Sequence, residues 1–360
     1  MQIDLEDVLS LGDSVDRVLA NYPAGVASLE ALKNPGALRA KTEQQLAELG
    51  VRYLCNPVSN GGVDLRAQAL LAERCGRHLY HGASLFQDVV GGYVVSQLTH
   101  LLADLSEPMT AGGFTVTVPL GNDPMGNVVQ ARSSLGAWVL DGVLPMVPYA
   151  AQSTHVLLGA QTGVDAQRFF LLPMQADGVQ AQHSHAVDGT AVSALQLRRV
   201  QLPQDAMVGA DEVGKALAQG QRHASLILCF EAVGLMEQLM RKTTEYLKIR
   251  KQFGQAIGTF QALQHRMVDV LLMLEQTRSA AQLALDAMTS GAVDQDVRLS
   301  AAKYAVGVYG QQVAQECIQL HGGIGMTWEL DVSHYAKRLL MLDHYFDNAD
   351  QSLSQVMAAI

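Results

Sequence analysis

The chain has 360 residues, with 25 Lys and Arg against 35 Asp and Glu, a formal charge of −10 and a pI near 5.5. That length exceeds what one hydrophobic core usually organises, so two or three domains are expected. The acidic balance argues against a nucleic-acid partner, because counterion release needs clustered Lys and Arg. The opening Met1-Gln2-Ile3-Asp4-Leu5-Glu6-Asp7 has no positive region leading into an apolar run, so no signal peptide is read there. No segment approaches the roughly 18 uninterrupted apolar residues of a membrane span, and a cytoplasmic location is expected.

From Leu5 to about Ser106 apolar residues recur at helical spacing, as at Leu65, Ala69, Ala72 and Leu79. Between Pro108 and about Gly209 short β-branched or alternating runs take over, punctuated by Gly, Pro, Asn and Asp. They are Phe114 to Val118, Trp138 to Leu140 before Asp141-Gly142, Val156 to Leu158, Phe169 to Leu172, and Leu195 to Leu202. From Lys215 the helical period returns in long stretches. The first aligns Leu226, Phe230, Val233, Met236, Met240 and Leu247, ends in the basic turn Lys248, Arg250, Lys251, and closes near Gly254. The second starts at Thr259 as candidate N-cap and aligns Leu263, Met267, Val270, Leu274, Ala281, Leu285 and Met288. A third follows Leu299, Ala302, Val306, Tyr309, Val313 and Cys317, and a fourth begins after Asp331. Four such helices with short links predict an antiparallel bundle. The domains are read as 1–106, helical; 107–208, β; and 209–360, helical bundle.

Cys55, Cys75, Cys229 and Cys317 form no C-x-x-C pair and read as packed thiols. His183-Ser184-His185 lies in a polar stretch without a third ligand, so no metal site is read there.

Two strings resemble the signatures of the acyl-CoA dehydrogenase family. One is Arg250-Lys251-Gln252-Phe253-Gly254 leading into Phe260-Gln261; the other is Gln319-Leu320-His321-Gly322-Gly323-Ile324-Gly325-Met326-Thr327. Weaker echoes are Leu46 to Gly50, Pro57, Gly61-Gly62, Ala72 to Arg77, and Trp138 to Gly142. The resemblance implies an α+β fold: an N-terminal helical domain, a middle β-barrel domain and a C-terminal four-helix bundle. It also implies FAD, with Arg250, Phe253, Gln261, Gln319, Leu320, Gly322 and Gly323 on the cofactor, reaching a neighbouring subunit's flavin. The chemistry of these residue types agrees. A guanidinium offers paired charged hydrogen bonds to pyrophosphate, an aromatic ring can lie on a flavin or adenine face, and glycines let backbone approach a ligand. His265 and His321 fall inside the same strings and can be cofactor or interface groups.

The chain departs from the family where chemistry is done. These enzymes remove the α-proton of an acyl-CoA with a carboxylate while the β-hydrogen passes as hydride to the flavin. Where the resemblance places the usual Glu, after Tyr345, stands Phe346; the alternative position on the first bundle helix is about Ala224. Asp343, Asp347 and Glu231 are nearby carboxylates, and Asp347 is the weak candidate. The flavin-facing segments also differ: Met146-Val147-Pro148-Tyr149 lacks the usual Trp and hydroxyl, and Thr117-Val118-Pro119-Leu120-Gly121-Asn122-Asp123 stands where the family shows a T-E-P-x-A-G-S-D-like segment.

An intact flavin-side arm without a base resembles the small subunits of bacterial heterotetrameric acyl-CoA dehydrogenases of the pimeloyl-CoA and steroid-degradation types. Phe230 to Met236 and His334 to Leu339 carry that likeness. It implies an α2β2 assembly with a paralogous large subunit that supplies the base, an acyl-CoA substrate and an electron-transfer flavoprotein as acceptor. Two alternatives stand beside it: a homomeric enzyme using Asp347, and a non-catalytic structural subunit.

Overall fold

A computed structural model describes residues 5–22, 37–55, 64–80, 82–97, 113–119, 129–134, 136–163, 167–208 and 210–359. Pro57, Gly61, Gly62 and Leu120 to Asp123 lie outside them.

Among the described residues the first hundred positions hold α1 (Leu5–Leu19), α2 (Ala37–Glu48), α3 (Val51–Cys55), α4 (Leu65–Arg77), a π-helix (Leu85–Gly91) and α5 (Gly92–Gln97). The strands follow as β1 (Val116–Thr117), β2 (Val129–Ser134), β3 (Ala137–Pro148), β4 (His155–Gln161), β5 (Gln167–Pro173), β6 (Val179–His185), β7 (Ala191–Pro203) and β8 (Met207–Val208). After them come α6 (Ala210–Ile249), a hairpin of β9 (Lys251–Gln252) and β10 (Gln255–Ala256), α7 (Gln261–Ser290), α8 (Gln295–His321), α9 (Val332–Asp343) and α10 (Ala349–Ala358).

Two compact units divide the chain. The first holds residues 50–63 and 82–224; the second holds 2–49, 64–81 and 225–360. The early helices are thus shared between units, and α6 contributes to both.

In the first unit eight strands form a mixed sheet in the order β6-β7-β3-β2-β4-β5-β8, with β1 added beside β4. That path does not close on itself among the described residues. Its core is built from alternate residues of these strands: Val129 and Ala131, Leu140 and Leu144, Val156 and Leu158, Phe170 and Leu172, Leu195 and Leu197. Trp138 meets Phe170 edge to face at 5.3 Å. Asp141-Gly142, read from sequence as ending a short run, instead sits inside the twelve-residue β3. The β3–β7 register shifts between Leu140 and Gly142, and the Asp141 carboxylate accepts the backbone N–H of Arg199 at 2.8 Å. Arg199 takes φ 49 there, so a bulge rather than a turn uses the glycine. β2 and β6 were not among the expected runs. β6 is an edge strand whose residues after Val179 are all exposed, so it lacks the apolar alternation that marks a half-buried strand.

In the second unit the expected stripes face inward. Leu226, Phe230, Val233, Met236 and Leu247 of α6 are buried, as are Val270, Leu274, Ala281 and Leu285 of α7 and Leu299, Ala302, Val306, Val313 and Cys317 of α8. The most apolar window of α6 is 78% buried, which accounts for its hydrophobicity as core. Thr259 is not the N-cap of α7. It ends a 3-10 turn, Ile257–Thr259, and its hydroxyl bonds Ala256 O, while Phe260 stands at the cap without a side-chain bond. The fourth helix is two, α9 and α10, and the second starts in a capping box of Asn348 and Gln351.

Candidate functional site: the bundle end that joins both signatures

The two strings far apart in sequence meet at one end of the second unit. Arg250 follows the last turn of α6, its N–H bonded to Tyr246 O at 2.9 Å, and its own carbonyl accepts from Ile257 N at 2.8 Å. The Tyr246 ring stacks on His321 at 4.5 Å and 28°, and its hydroxyl donates to His321 O at 3.3 Å. Arg266, early on α7, holds Glu316, late on α8, at 2.6 Å. These links tie the α6 end, the α7 start and the α8 end into one surface.

Between Arg250 and Ile257 the chain makes a tight two-residue hairpin. Its central residues, Phe253 and Gly254, have φ 53 and φ 82, the two positive angles a type I′ turn requires. Glycine accepts that conformation freely; a phenylalanine there is strained and uncommon. Phe253 is nevertheless 91% exposed, meeting only Phe260 edge on at 6.1 Å among its ring contacts. The hairpin therefore presents an aromatic face outward.

At the other string α8 ends at Gly322, whose φ 67, ψ −150 belongs to the region essentially reserved for glycine. A Cβ placed on Gly322 or Gly323 would meet no atom within 4 Å, so both leave open space in front of their backbone. Gly325 differs: a Cβ would sit 2.7 Å from Ile318 O, so it is a packing glycine. Of the seven cofactor candidates, Arg250, Phe253, Gln261, Gln319, Gly322 and Gly323 are exposed and Leu320 is buried. His321 is buried as well, its Nδ1 2.8 Å from Cys317 O, while His265 is exposed. A dinucleotide fits this surface chemically: a free aromatic face, a guanidinium and two unobstructed peptide groups suit a flat ring and a pyrophosphate.

The candidate base positions look different. Ala224 is fully buried. Its neighbour His223 bonds Tyr93 Oη through Nδ1 at 2.5 Å, and burial plus Arg222 push it down to about 4. Phe346 takes φ 66. The carboxylates around it are engaged. Glu231 holds Arg338 in a buried two-pronged pair at 2.6 and 3.0 Å. Asp343 caps α10 through Ala349 N at 2.9 Å, and Asp347 accepts from Gln355 Nε2 at 3.1 Å. Lys303, buried on α8, donates to the carbonyls of Leu342 and Tyr345 at 2.8 and 3.2 Å and so fixes the turn before Phe346. Burial pushes this lysine below its ordinary value. The Glu231–Arg338, His223–Tyr93 and Lys303 contacts were not visible in sequence, because each joins elements far apart along the chain.

In the first unit Met146 is 42% exposed, whereas Val147 and Tyr149 are buried and Tyr149 takes φ 52. The Pro148 carbonyl is occupied by the Thr117 hydroxyl at 2.7 Å. His183 bonds Ser193 Oγ at 2.9 Å within the sheet.

Comparison with known proteins agrees with this geometry. Residues 216–346 match the acyl-CoA dehydrogenase C-terminal domain. The long-chain specific acyl-CoA dehydrogenase of Sus scrofa mitochondria is 26% identical over 268 residues, 70% of this chain and 62% of that protein. The chain thus spans just under two thirds of that relative. Among solved structures, the ChsE4-ChsE5 complex of Mycobacterium tuberculosis superposes with a TM-score of 0.85 at 20% identity, covering 99% of this chain and 98% of that one. A glutaryl-CoA dehydrogenase of Mycobacterium smegmatis in complex with FADH2 gives 0.82 at 20% identity over 99% and 95%. With both signatures gathered at one bundle end, residues 216–346 match the acyl-CoA dehydrogenase C-terminal domain, and the chain has the fold of solved acyl-CoA dehydrogenases.

Proposed function

We propose that the chain is a subunit of an FAD-dependent acyl-CoA dehydrogenase, lending its C-terminal arm to a flavin shared with a paralogous large subunit that supplies the base. One contrast carries this reading: the flavin-side arm is exposed and free, while the positions for a base hold Phe346 and buried Ala224 and the nearby carboxylates are bonded elsewhere. When bound, the flavin accepts the hydride from the β-carbon. Arg250 would hold the pyrophosphate and Phe253 an aromatic surface of the cofactor, while the Gly322 and Gly323 backbone, with Gln261 and Gln319, would offer it further hydrogen bonds. Leu320 packs behind them. The ChsE4-ChsE5 complex, whose fold the chain shares, supports a mixed assembly, for which we propose α2β2. An acyl-CoA substrate, an electron-transfer flavoprotein as acceptor and a cytoplasmic location complete the proposal. Asp347 is a poor base on this reading, since its carboxylate faces Gln355.

Co-expression with a neighbouring large-subunit gene, followed by flavin absorbance and the flavin-to-chain ratio, tests the proposal. The mixed complex is expected to be yellow and active, and the lone chain nearly colourless. Arg250→Ala is expected to weaken flavin retention by about 10-fold or more, the loss of a charge-assisted pair. A yellow, active homotetramer of this chain alone would sink the division of labour, and unchanged flavin content in Arg250→Ala would leave only a scaffold role.

A further inference from the structure

Helices α7 and α8 both end on a glycine, and the two ends differ in one torsion. Gly291 closes α7 with φ 66, ψ 34, the ordinary left-handed cap, and the next residue, Ala292, returns its N–H to Ala287 O at 2.9 Å. Gly322 closes α8 with nearly the same φ, 67, but with ψ −150. Its own N–H still returns to Gln319 O, as that of Gly291 does to Met288 O. The planar peptide between Gly322 and Gly323 is therefore turned over by about half a turn relative to the one after Gly291. In the ordinary cap the Gly323 N–H would return to Ile318 O; here it points away from that carbonyl. Gly325 covers the carbonyl instead, since a Cβ on it would stand 2.7 Å from Ile318 O.

The residue behind this turned peptide is braced from α6. The Tyr246 ring lies on the His321 ring at 4.5 Å and 28°, and its hydroxyl reaches His321 O over a long 3.3 Å. His321 is held on its other side. A carbonyl only accepts, so the Nδ1 that stands 2.8 Å from Cys317 O carries the proton, and the ring cannot swing without losing that bond. Tyr246 also accepts the Arg250 N–H at its own carbonyl, at 2.9 Å. One half-buried tyrosine thus touches the residue before Gly322 with its side chain and Arg250 with its backbone. That fixes the start of the first signature against the turned peptide of the second.

We propose that Tyr246 is a positioning residue for the cofactor: it holds the His321–Gly322 end of α8 in the turned cap and so keeps the Gly323 N–H free for the dinucleotide's polar atoms. The inference rests on the proposed function, under which Gly323 and Arg250 serve one FAD. Tyr246 acts through the backbone it braces rather than by contact with the cofactor.

The test uses the co-expressed complex, stripped of flavin and titrated with FAD, with the melting temperature of the stripped complex measured beside it. Tyr246→Leu removes both the stack and the hydroxyl and is expected to weaken FAD binding about 10-fold. Gly323→Pro removes the amide hydrogen itself, with its ring entering open space, and is expected to cost about 10-fold as well. In the Gly323→Pro background, Tyr246→Leu is then expected to change FAD affinity by less than about 2-fold while lowering the melting temperature as much as it does alone. Equal FAD losses with and without the Gly323 amide would overturn the assignment, because a merely structural tyrosine lowers affinity and melting temperature together in both backgrounds. Tyr246→Phe tests the same point without the proline: it keeps the stack, and is expected to melt like wild type yet bind FAD about 3-fold more weakly. Affinity that simply tracks melting temperature through wild type, Phe and Leu would overturn the assignment too. So would wild-type FAD binding in Tyr246→Leu where Arg250→Ala weakens it. Unchanged FAD binding in Arg250→Ala and Tyr246→Leu alike would instead overturn the flavin-arm reading, and this inference with it.

Discussion

Replacing Glu231 by alanine is expected to destabilise the second unit by about 3 to 5 kcal/mol, the usual cost of stranding one member of a buried ion pair. Glu231 on α6 and Arg338 on α9 are 7% and 3% exposed and joined by two charged bonds of 2.6 and 3.0 Å. The Arg338 guanidinium also lies over the Tyr345 ring at 5.3 Å. Removing the carboxylate leaves that cation in the core without its charged partner. Desolvation then dominates over any lost Coulomb attraction, because at this burial no water replaces the missing oxygens. Denaturant unfolding of the single variants Glu231→Ala and Arg338→Met against the double variant Glu231→Leu/Arg338→Met measures the effect. The singles are expected to lose far more than the double, which strands no charge. A loss under about 1 kcal/mol in Glu231→Ala would mean that the pair is solvated and that Glu231 is free to act as a base.

That pair also marks the limit of what the sequence disclosed. Phe230 to Met236 and His334 to Leu339 stand out as strings, yet nothing in either shows that Glu231 and Arg338 belong to each other, since contact across 107 residues is a property of the packed bundle. The bundle itself was legible because long helices with one apolar stripe declare their inward face, as Leu226 to Leu247 does. The cofactor arm was legible because its residue types are unusual together: a guanidinium, an aromatic before glycine, and two adjacent glycines. What failed were cues that depend on context. Thr259 has cap chemistry but spends its hydroxyl on a 3-10 turn, and Asp141-Gly142 has turn chemistry but serves a bulge within a long strand. β6 escaped because an exposed edge strand has no apolar face to show.

Replacing Gly234 by alanine is expected to cost about 3 kcal/mol or to prevent folding, although alanine is the better helix former by about 1 kcal/mol. The reason is a crossing of α4 over α6 in which glycines face each other's backbone. A Cβ on Gly234 would stand 2.0 Å from Glu73 O, and one on Gly76 would stand 2.2 Å from Glu231 O. Both obstacles are main-chain carbonyls, so no side-chain rotamer relieves them and the helices must separate. Separation would also pull on bonds around the same crossing: Tyr335 Oη to Arg77 O at 2.7 Å and Arg77 to Glu237 at 3.0 Å. Gly214 supplies the control on the same helix. A Cβ there meets nothing within 4 Å, so Gly214→Ala is expected to stabilise by about 0.5 to 1 kcal/mol through helix propensity alone. Thermal and denaturant melts of Gly76→Ala, Gly234→Ala and Gly214→Ala decide the matter. Because the crossing sets where α6 carries Glu231 toward Arg338, the glycine and ion-pair variants are expected to be non-additive, each already having spent part of the other's loss. Additive losses would mean that the close approach and the buried pair are held independently.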